Sequence, residues 1–444
     1  MTGPKEEKPT ATVPTGRFAR LSKLGGTATT VTARHAFQRL KDVVSTAEQR
    51  EVGHREATAK SAQDVVKTLA QMKGAAMKVG QLLSIDPQIL PPEIRDALGT
   101  LQQNAPPMPW EVVEREVSAA LGGGIGDHFS EFEKDPLGAA SIGQVHRAVT
   151  RAGQRVAVKV QYPGIADTID SDVKNLGSVL QMAKLVLPGA RIEDYLEELR
   201  QVLHKEADYT QEAQNLVHYA KVFSVFSYAR VPKPYLELTR RNVLTMEMME
   251  GRKFDAVLEA LSPSDRDALA TRFLDMFMRM FHELSTLHAD PHPGNFLVDG
   301  DGNIILLDFG CVREFEPAFA DAFTNVMRAQ WKANADRLVE YYQKAGFLIP
   351  KGLDGEVLYE WQDIVLEPFL KAGPFDFANW KLEQKAFAFL KDNMVLKLMA
   401  PPRPALFYFR VCAGIRGMLS RTGARVDVHG LAKALDKRLV AVGR

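Results

Sequence analysis

Two short patterns in the second half of the chain constrain its fold more than any other feature. Residues 288–295 read His-Ala-Asp-Pro-His-Pro-Gly-Asn, and residues 308–310 read Asp-Phe-Gly. Between them, the turn-forming stretch Asp-Gly-Asp-Gly at 299–302 precedes a short apolar run at 304–307, which is typical of a tight hairpin. An irregular loop, a hairpin and an acidic turn therefore follow one another in this part of the chain.

The residue types in these patterns suit phosphoryl transfer. This chemistry needs a carboxylate beside the attacking group and oxygen ligands that hold Mg²⁺ on the phosphates of ATP. We predict that Asp290 is the catalytic carboxylate, and that Asn295 and Asp308 are the metal ligands. An ordinary hairpin with an acidic turn is the competing interpretation, but the joint order of the parts favours the site. His288 and His292 lack a third nitrogen ligand, so we interpret both as structural.

A second candidate region lies between residues 129 and 162, where apolar residues alternate around a turn at 151–153. This pattern predicts a small antiparallel sheet, with Lys159 at the end of the strand Val-Ala-Val-Lys. A lone lysine in a strand is usually solvated, but this one follows a loop of small residues, as in a kinase N-lobe. We predict that Lys159 and this loop contact the phosphates of ATP. The loop residues are Gly138, Ala139, Ala140 and Ser141.

An acidic helix is predicted from about residue 192 to 222. Glu206 and Glu212 are six residues apart on this helix and therefore lie on different faces. One of the two is expected to pair with Lys159 and the other with Lys78, and the sequence leaves open which pairs with which.

Lys78 and Gln81 lie on a predicted helix whose neighbouring residues are small. Such a surface allows close approach to a nucleotide or to another backbone, and plain helix packing is the competing interpretation. We predict that Lys78, like Lys159, is a catalytic residue and that Gln81 contacts the nucleotide. The backbone near Glu247 and Met249 is expected to meet the adenine ring.

The order of predicted helices and strands divides the chain into four segments. We expect a disordered or peripheral leader at 1–30 and a helical extension at 31–125, followed by an N-lobe at 126–249 and a helical C-lobe at 250–444. Further strands are expected only at 231–237, 242–248, 296–298 and 303–307.

Composition limits the class of partner and the compartment. A net charge of +1 gives no overall field for binding nucleic acid, and two distant cysteines favour a reducing compartment such as the cytoplasm. No stretch reaches the roughly 20 apolar residues needed to span a bilayer. Basic and apolar residues alternate at 17–41, which is compatible with contact to the anionic inner face of a membrane, although a helix docked on its own domain is favoured.

With these motifs in order, the chain resembles the ABC1/UbiB atypical kinases, also called the ADCK or Coq8 group, and within them the soluble Coq8-like branch. The resemblance rests on Lys78-x-Gly80-Gln81, the loop ending Ser141-Ile142-Gly143-Gln144-Val145, Val156-Ala157-Val158-Lys159, Glu206-x-Asp208 with Glu212 and Asn215, and the patterns at 288–295 and 308–310.

The resemblance implies an α+β, two-lobed protein-kinase-like fold, with a small antiparallel N-lobe sheet and a helical C-lobe. It implies ATP and Mg²⁺ as cofactors, pairing of Lys78 with Glu206 and of Lys159 with Glu212, and helices of the extension lying across the place where a peptide would bind. The implied activity is an ATPase that supports ubiquinone or isoprenoid-lipid biosynthesis, with a quinone-type lipid and quinone-biosynthesis proteins as partners. Gly138 stands where the family commonly has alanine, which loosens the loop.

Two other functions remain open at this point. One is a kinase that phosphorylates a small molecule or a protein, and the other is a non-catalytic, nucleotide-sensing scaffold.

Overall fold

A computed structural model describes residues 107–140, 142–183 and 192–444. The chain divides into two compact units. The first comprises Met1–Tyr209 and Leu238–Thr245, and the second comprises Thr210–Glu237 and Met246–Arg444. The segment boundaries expected at residues 30, 125 and 249 stay predictions.

The first unit is built on a five-stranded sheet in the order β1-β3-β4-β6, with β2 beside β3. Its strands are β1 Phe129–Phe132, β2 Gly138–Ala140, β3 Gly143–Thr150, β4 Arg155–Gln161 and β6 Val243–Glu247, whose last two residues belong to the second unit. The turn between β3 and β4 contains Gly153 at φ 79°, a conformation that glycine adopts without strain. Val156, Val158 and Val160 on β4 are completely buried. The predicted sheet and its turn are therefore confirmed.

Among the residues described, four helices accompany this sheet. They are α1 Trp110–Leu121, α2 Ile125–His128, α3 Ile165–Ala183 and α4 Ile192–Glu206. The first of them, α1, buries Val113 and Val117, four residues apart on one face.

The second unit is mainly helical within the described residues. Its helices are α5 Tyr209–Val222, whose first residue belongs to the first unit, α6 Phe254–Ala260, α7 Pro263–His282, α8 Pro317–Trp331, α9 Ala335–Lys344, α10 Gly355–Val365, α11 Glu367–Leu370, α12 Leu382–Asp392, α13 Arg403–Thr422 and α14 Val428–Ala441. The long helix α7 begins with Ser262 as its N-cap and a proline in its first turn. Phe273, Phe277 and Phe281 on this helix are buried in an aromatic core.

Short strands in the second unit position the loops that carry the sequence motifs. A four-stranded sheet has the order β5-β10-β9-β7, and two further pairs join β8 to β11 and β12 to β13. The strands are β5 Ala229–Arg230, β7 Arg252–Lys253, β8 Thr286–His288, β9 Phe296–Val298, β10 Ile304–Leu306, β11 Val312–Glu314, β12 Phe375–Asp376 and β13 Arg425–Val426. The hairpin of β9 and β10 is the one predicted from the sequence, and its turn has Gly302 at φ 79°.

Two of the predicted elements are wrong, and several short strands were not predicted. The single helix expected at 192–222 is broken between Glu206 and Tyr209, where the Tyr209 amide donates to the Arg241 carbonyl instead of continuing the helix. The strand expected at 231–237 is reduced to one bridge at Pro234, because Pro232 and Pro234 cannot donate backbone hydrogen bonds. The strands that were not predicted each have only two or three residues; they are β5, β7, β8, β11, β12 and β13.

The predicted α+β fold class is confirmed by the small antiparallel sheet of the first unit and by the helix-rich second unit. None of the helices described is long and apolar enough to cross a bilayer.

Candidate functional site

Lys159 lies on the central strand β4 and is only 6% exposed. Its ammonium group is 4.8 Å from the centre of the Tyr209 ring, within the range of a cation–π contact. Tyr209 is itself buried and held by the hydrogen bond from its amide to Arg241. The sequence pattern gave no signal that this tyrosine contacts the predicted phosphate-binding lysine.

The small-residue loop is a tight hairpin between β2 and β3. Gly138 pairs with Val145, and Val145 pairs on its other side with Lys159. The start of the loop is therefore in register with the lysine across three adjacent strands. Ala139 and Ala140 lie on β2, whereas the predicted contact residue Ser141 falls outside the described residues.

The hairpin approaches its neighbour closely at Gly143. A Cβ atom at this position would lie 2.2 Å from the carbonyl oxygen of Val160, which is far inside van der Waals contact. Around Gly138, in contrast, a Cβ would meet no atom within 4 Å. The loop thus requires glycine at its end but has room for alanine at its start.

The two candidate glutamates lie on different helices, because of the break described above. Glu206 ends α4 and Glu212 lies in the first turn of α5, and both are buried. The inference that they occupy two faces of one helix was wrong for this reason. A carboxylate in a first helical turn is stabilised by the helix dipole, which suits the position of Glu212. The pairing of either glutamate with Lys159 or Lys78 stays a prediction.

The Asp-Phe-Gly segment is fixed by side chains that bind its backbone. Asp308 accepts a hydrogen bond from the Gly310 amide through Oδ1 at 2.8 Å, which closes a tight turn. Nε2 of His288, a completely buried residue, lies 2.5 Å from the Asp308 carbonyl oxygen, and Asn215 Nδ2 donates to the Phe309 carbonyl at 3.0 Å. Two consecutive carbonyl groups are therefore each held by a side chain.

The loop with Asp290 and Asn295 is fixed in a similar way. Asn295 Nδ2 donates to the Asp290 carbonyl at 3.1 Å, and its backbone carbonyl accepts from the Leu307 amide at 3.0 Å. Since Leu307 precedes Asp308, the hairpin brings the two predicted metal ligands to adjacent strand ends. His292 is exposed, and its Nδ1 accepts from the Gly294 amide.

The donor set of Asn295 and Asp308 fits Mg²⁺. A carboxylate and an amide oxygen are the ligands this cation takes from proteins, and Mg²⁺ usually keeps water or phosphate oxygens at its other positions. The hydrogen bond from Asn295 Nδ2 to the loop leaves the amide oxygen as the atom able to face a cation. Among the described residues there is no group of three or more His, Cys, Asp or Glu side chains able to hold a metal.

The predicted adenine contacts lie at the end of β6. The Glu247 amide donates to the Lys233 carbonyl at 2.8 Å, so this N–H group is already engaged within the protein. Met249, two residues further on, is half-buried. Lys78 and Gln81 lie outside the described residues, and their roles stay predictions.

One charged residue near the site was missed entirely. Arg410 on α13 has Nη2 3.7 Å from Asp290 Oδ1, and both side chains are 9% exposed. It lies more than one hundred residues after the motifs, in a helix with no recognisable pattern, so no local signal could have indicated this contact.

The chain is similar in sequence to proteins of one family. The family model described as the ABC1 atypical kinase-like domain matches residues 100–342. The chain is 32% identical over 427 residues to the mitochondrial atypical kinase COQ8B of Rattus norvegicus, covering 94% of this chain and 80% of that protein. It is 30% identical over 390 residues to the mitochondrial atypical kinase coq-8 of Caenorhabditis elegans, covering 86% of this chain.

The extent of these matches differs among the relatives. The chain spans 51% of the length of the Caenorhabditis elegans protein and 64% of the length of a probable serine/threonine-protein kinase, abkA, of Dictyostelium discoideum. A solved structure, that of Rv3197 from Mycobacterium tuberculosis in complex with erythromycin, is 29% identical with a TM-score of 0.61. This similarity covers 87% of this chain and 98% of that one.

Proposed function

Because the chain belongs to the ABC1 atypical kinase-like family, we propose that it binds Mg-ATP and hydrolyses it in support of ubiquinone or isoprenoid-lipid biosynthesis. The observation that carries this proposal is the pair of fixed loops in the second unit. Asn295 and Asp308 stand at adjacent strand ends, and Asp290 is hydrogen-bonded to Asn295 through its carbonyl group.

The roles follow from the chemistry of each side chain. Asp308 and Asn295 hold Mg²⁺, which when bound neutralises charge on the phosphates. Asp290 faces the attacking group and orients it or takes its proton. Lys159, placed in register with the small-residue loop, contacts phosphate oxygens. The hydrogen bonds from His288 and Asn215 hold the backbone that carries Asp308, so that the metal ligand needs little reorganisation.

Hydrolysis is favoured over transfer to a protein by the short connection after the Asp-Phe-Gly segment. Strand β11 begins at Val312 and α8 begins at Pro317, so only a few residues are available for a platform that would bind a peptide. A typical protein kinase has a longer activation segment closed by an Ala-Pro-Glu motif, which is absent from this sequence.

The proposal is tested by measuring phosphate release from the purified protein. Release should require Mg²⁺ and should increase with anionic liposomes or with phenols that resemble a quinone head group. ATP labelled at the γ-phosphate would show whether the label reaches water, a small molecule or a protein. Transfer to anything other than water would favour a kinase, and no turnover under all these conditions would contradict the proposal and favour a nucleotide-sensing scaffold.

A further inference from the structure

The guanidinium group of Arg410 is buried beside the predicted catalytic carboxylate. Its Nη2 atom lies 3.7 Å from Asp290 Oδ1, which is an ion-pair distance but too long for a hydrogen bond. Asp290 lies within the family match at residues 100–342, whereas Arg410, on α13, lies C-terminal of it.

Two donor atoms of this guanidinium group are unsatisfied in the part of the chain that the structure describes. Both Nε and Nη2 of Arg410 are buried and make no hydrogen bond. Burying a polar donor without an acceptor is unfavourable, and more so for a charged group. A buried cation with unused donors therefore indicates an oxygen ligand that binds there.

The helix that carries Arg410 is packed firmly against the same loop. Gly414 is one turn further along α13, and a Cβ atom there would lie 2.5 Å from Pro291 Cγ. Arg410 and Gly414 thus meet two consecutive residues of the loop, Asp290 and Pro291. The ring of Tyr408 on the same helix is 4.3 Å from that of Phe281, in the aromatic core. The position of the guanidinium group is set by packing rather than by a flexible surface.

We propose that Arg410 binds the oxygens of the phosphoryl group that ATP loses, as a guanidinium supplied from within the same chain. This proposal rests on the function proposed above. In the hydrolysis step, the bond between the γ-phosphorus and its bridging oxygen breaks, and its electron pair leaves with ADP. The oxygen of water forms the new bond to phosphorus, and the proton that water loses passes to solvent by way of Asp290 or the phosphate. Arg410 keeps its proton throughout.

The chemical reason is the match between guanidinium geometry and phosphoryl oxygens. Two N–H groups of arginine point in parallel and can bind two oxygens at once, which lysine cannot do. In loose phosphoryl-transfer transition states the charge is spread over these oxygens, and an arginine that contacts them accelerates the reaction by about 10³–10⁵-fold. Asp290 marks where the attacking group stands, so a guanidinium 3.7 Å from its carboxylate is beside the reacting phosphorus.

The test compares binding of Mg-ADP alone with binding of Mg-ADP plus aluminium fluoride, which mimics the transferring phosphoryl group. Arg410→Gln should bind Mg-ADP as the wild type does, but should lose most of the additional affinity given by aluminium fluoride. Its kcat should fall by about 10³-fold. Arg410→Lys keeps the buried charge. Its kcat and its additional affinity with aluminium fluoride should lie between those of the wild type and those of Arg410→Gln. Arg416→Gln removes the same charge from a half-buried position on the same helix, where it pairs with Glu383 instead of Asp290, and should behave as the wild type.

The outcomes separate this proposal from the proposed function. Failure of the wild type to bind Mg-nucleotide would contradict both. If the wild type hydrolyses ATP and folded Arg410→Gln keeps the aluminium fluoride enhancement, only the role of Arg410 is refuted. An equal loss of affinity for Mg-ADP and for the aluminium fluoride complex would also refute it, because that result indicates a purely structural contact. If circular dichroism shows that Arg410→Gln does not fold, the same binding comparison, with and without aluminium fluoride, is made on Arg410→Lys and decides the role of Arg410.

Discussion

Replacing His288 with phenylalanine is expected to impair catalysis by releasing the backbone of Asp308. The ring of His288 packs 5.2 Å from that of Phe296 and 5.9 Å from that of Phe309, measured between ring centres. Phenylalanine keeps an aromatic ring at this position. It removes the imidazole nitrogen that lies 2.5 Å from the Asp308 carbonyl oxygen, so this carbonyl group loses its histidine contact.

The size of the effect follows from the burial of this contact. A buried carbonyl that loses its donor costs about 1–3 kcal/mol, and complete burial of His288 favours the upper half of this range. If the cost falls on the conformation of Asp308, the population of the competent turn and kcat decrease by about 30- to 150-fold, since each 1.36 kcal/mol corresponds to a factor of ten. If it falls on the whole unit, the free energy of unfolding decreases by the same amount.

Both quantities should be measured, by steady-state phosphate release and by urea denaturation. His429→Phe is the matched control, because His429 Nδ1 lies 2.7 Å from the Phe369 carbonyl oxygen. This second histidine–carbonyl contact is remote in sequence from the motifs. The control should lose stability but keep kcat. Wild-type kcat and stability in His288→Phe, or an equal loss of kcat in both variants, would refute the reasoning.

Three further predictions concern the loop, the sheet and pH. Asn215→Leu removes the donor to the Phe309 carbonyl group, so kcat should fall about fivefold or more, and the free energy of unfolding measured by calorimetry should fall by about 1 kcal/mol. An unchanged kcat would contradict this prediction. Gly143→Ala should lower the free energy of unfolding by about 1–3 kcal/mol, because its Cβ atom would meet the Val160 carbonyl group. Gly138→Ala is the control, and its thermal unfolding should match that of the wild type. Burial lowers the pKa of His282 from 6.5 to about 3. The unfolded chain binds the proton more readily, so stability is complete above pH 6.5 and falls by up to about 1.4 kcal/mol per unit towards pH 3. A His282→Gln variant with the same acid sensitivity would disprove this last point.

The parts of the site that the sequence could predict are those set by local geometry. The hairpin of β9 and β10 is short, and its glycine turn is encoded within a few residues. Asn295 and Asp308 flank this hairpin, so their proximity follows directly from the turn. The alternating valines of β4 likewise fix the strand that carries Lys159.

The parts that the sequence could not predict depend on contacts between distant residues. The helix break before Tyr209 has no glycine or proline to mark it, and it is stabilised by a hydrogen bond to Arg241 on another segment. Strands β8 and β11 are three residues long and exist because they pair with each other, so neither has a periodic pattern of its own. The contact of Arg410 with Asp290 spans more than one hundred residues and depends on how α13 packs.

Asp308 is proposed to hold the Mg²⁺ needed for turnover of ATP. Mg-dependent phosphate release and nucleotide binding should be measured for the wild type and for Asp308→Asn, which keeps the size of the side chain. The wild type is predicted to release phosphate only with Mg²⁺, and the variant to lose this release by at least about 10²-fold, because a neutral amide cannot replace the anionic ligand. Phosphate release that survives the substitution at the wild-type rate would contradict the assignment of the catalytic centre.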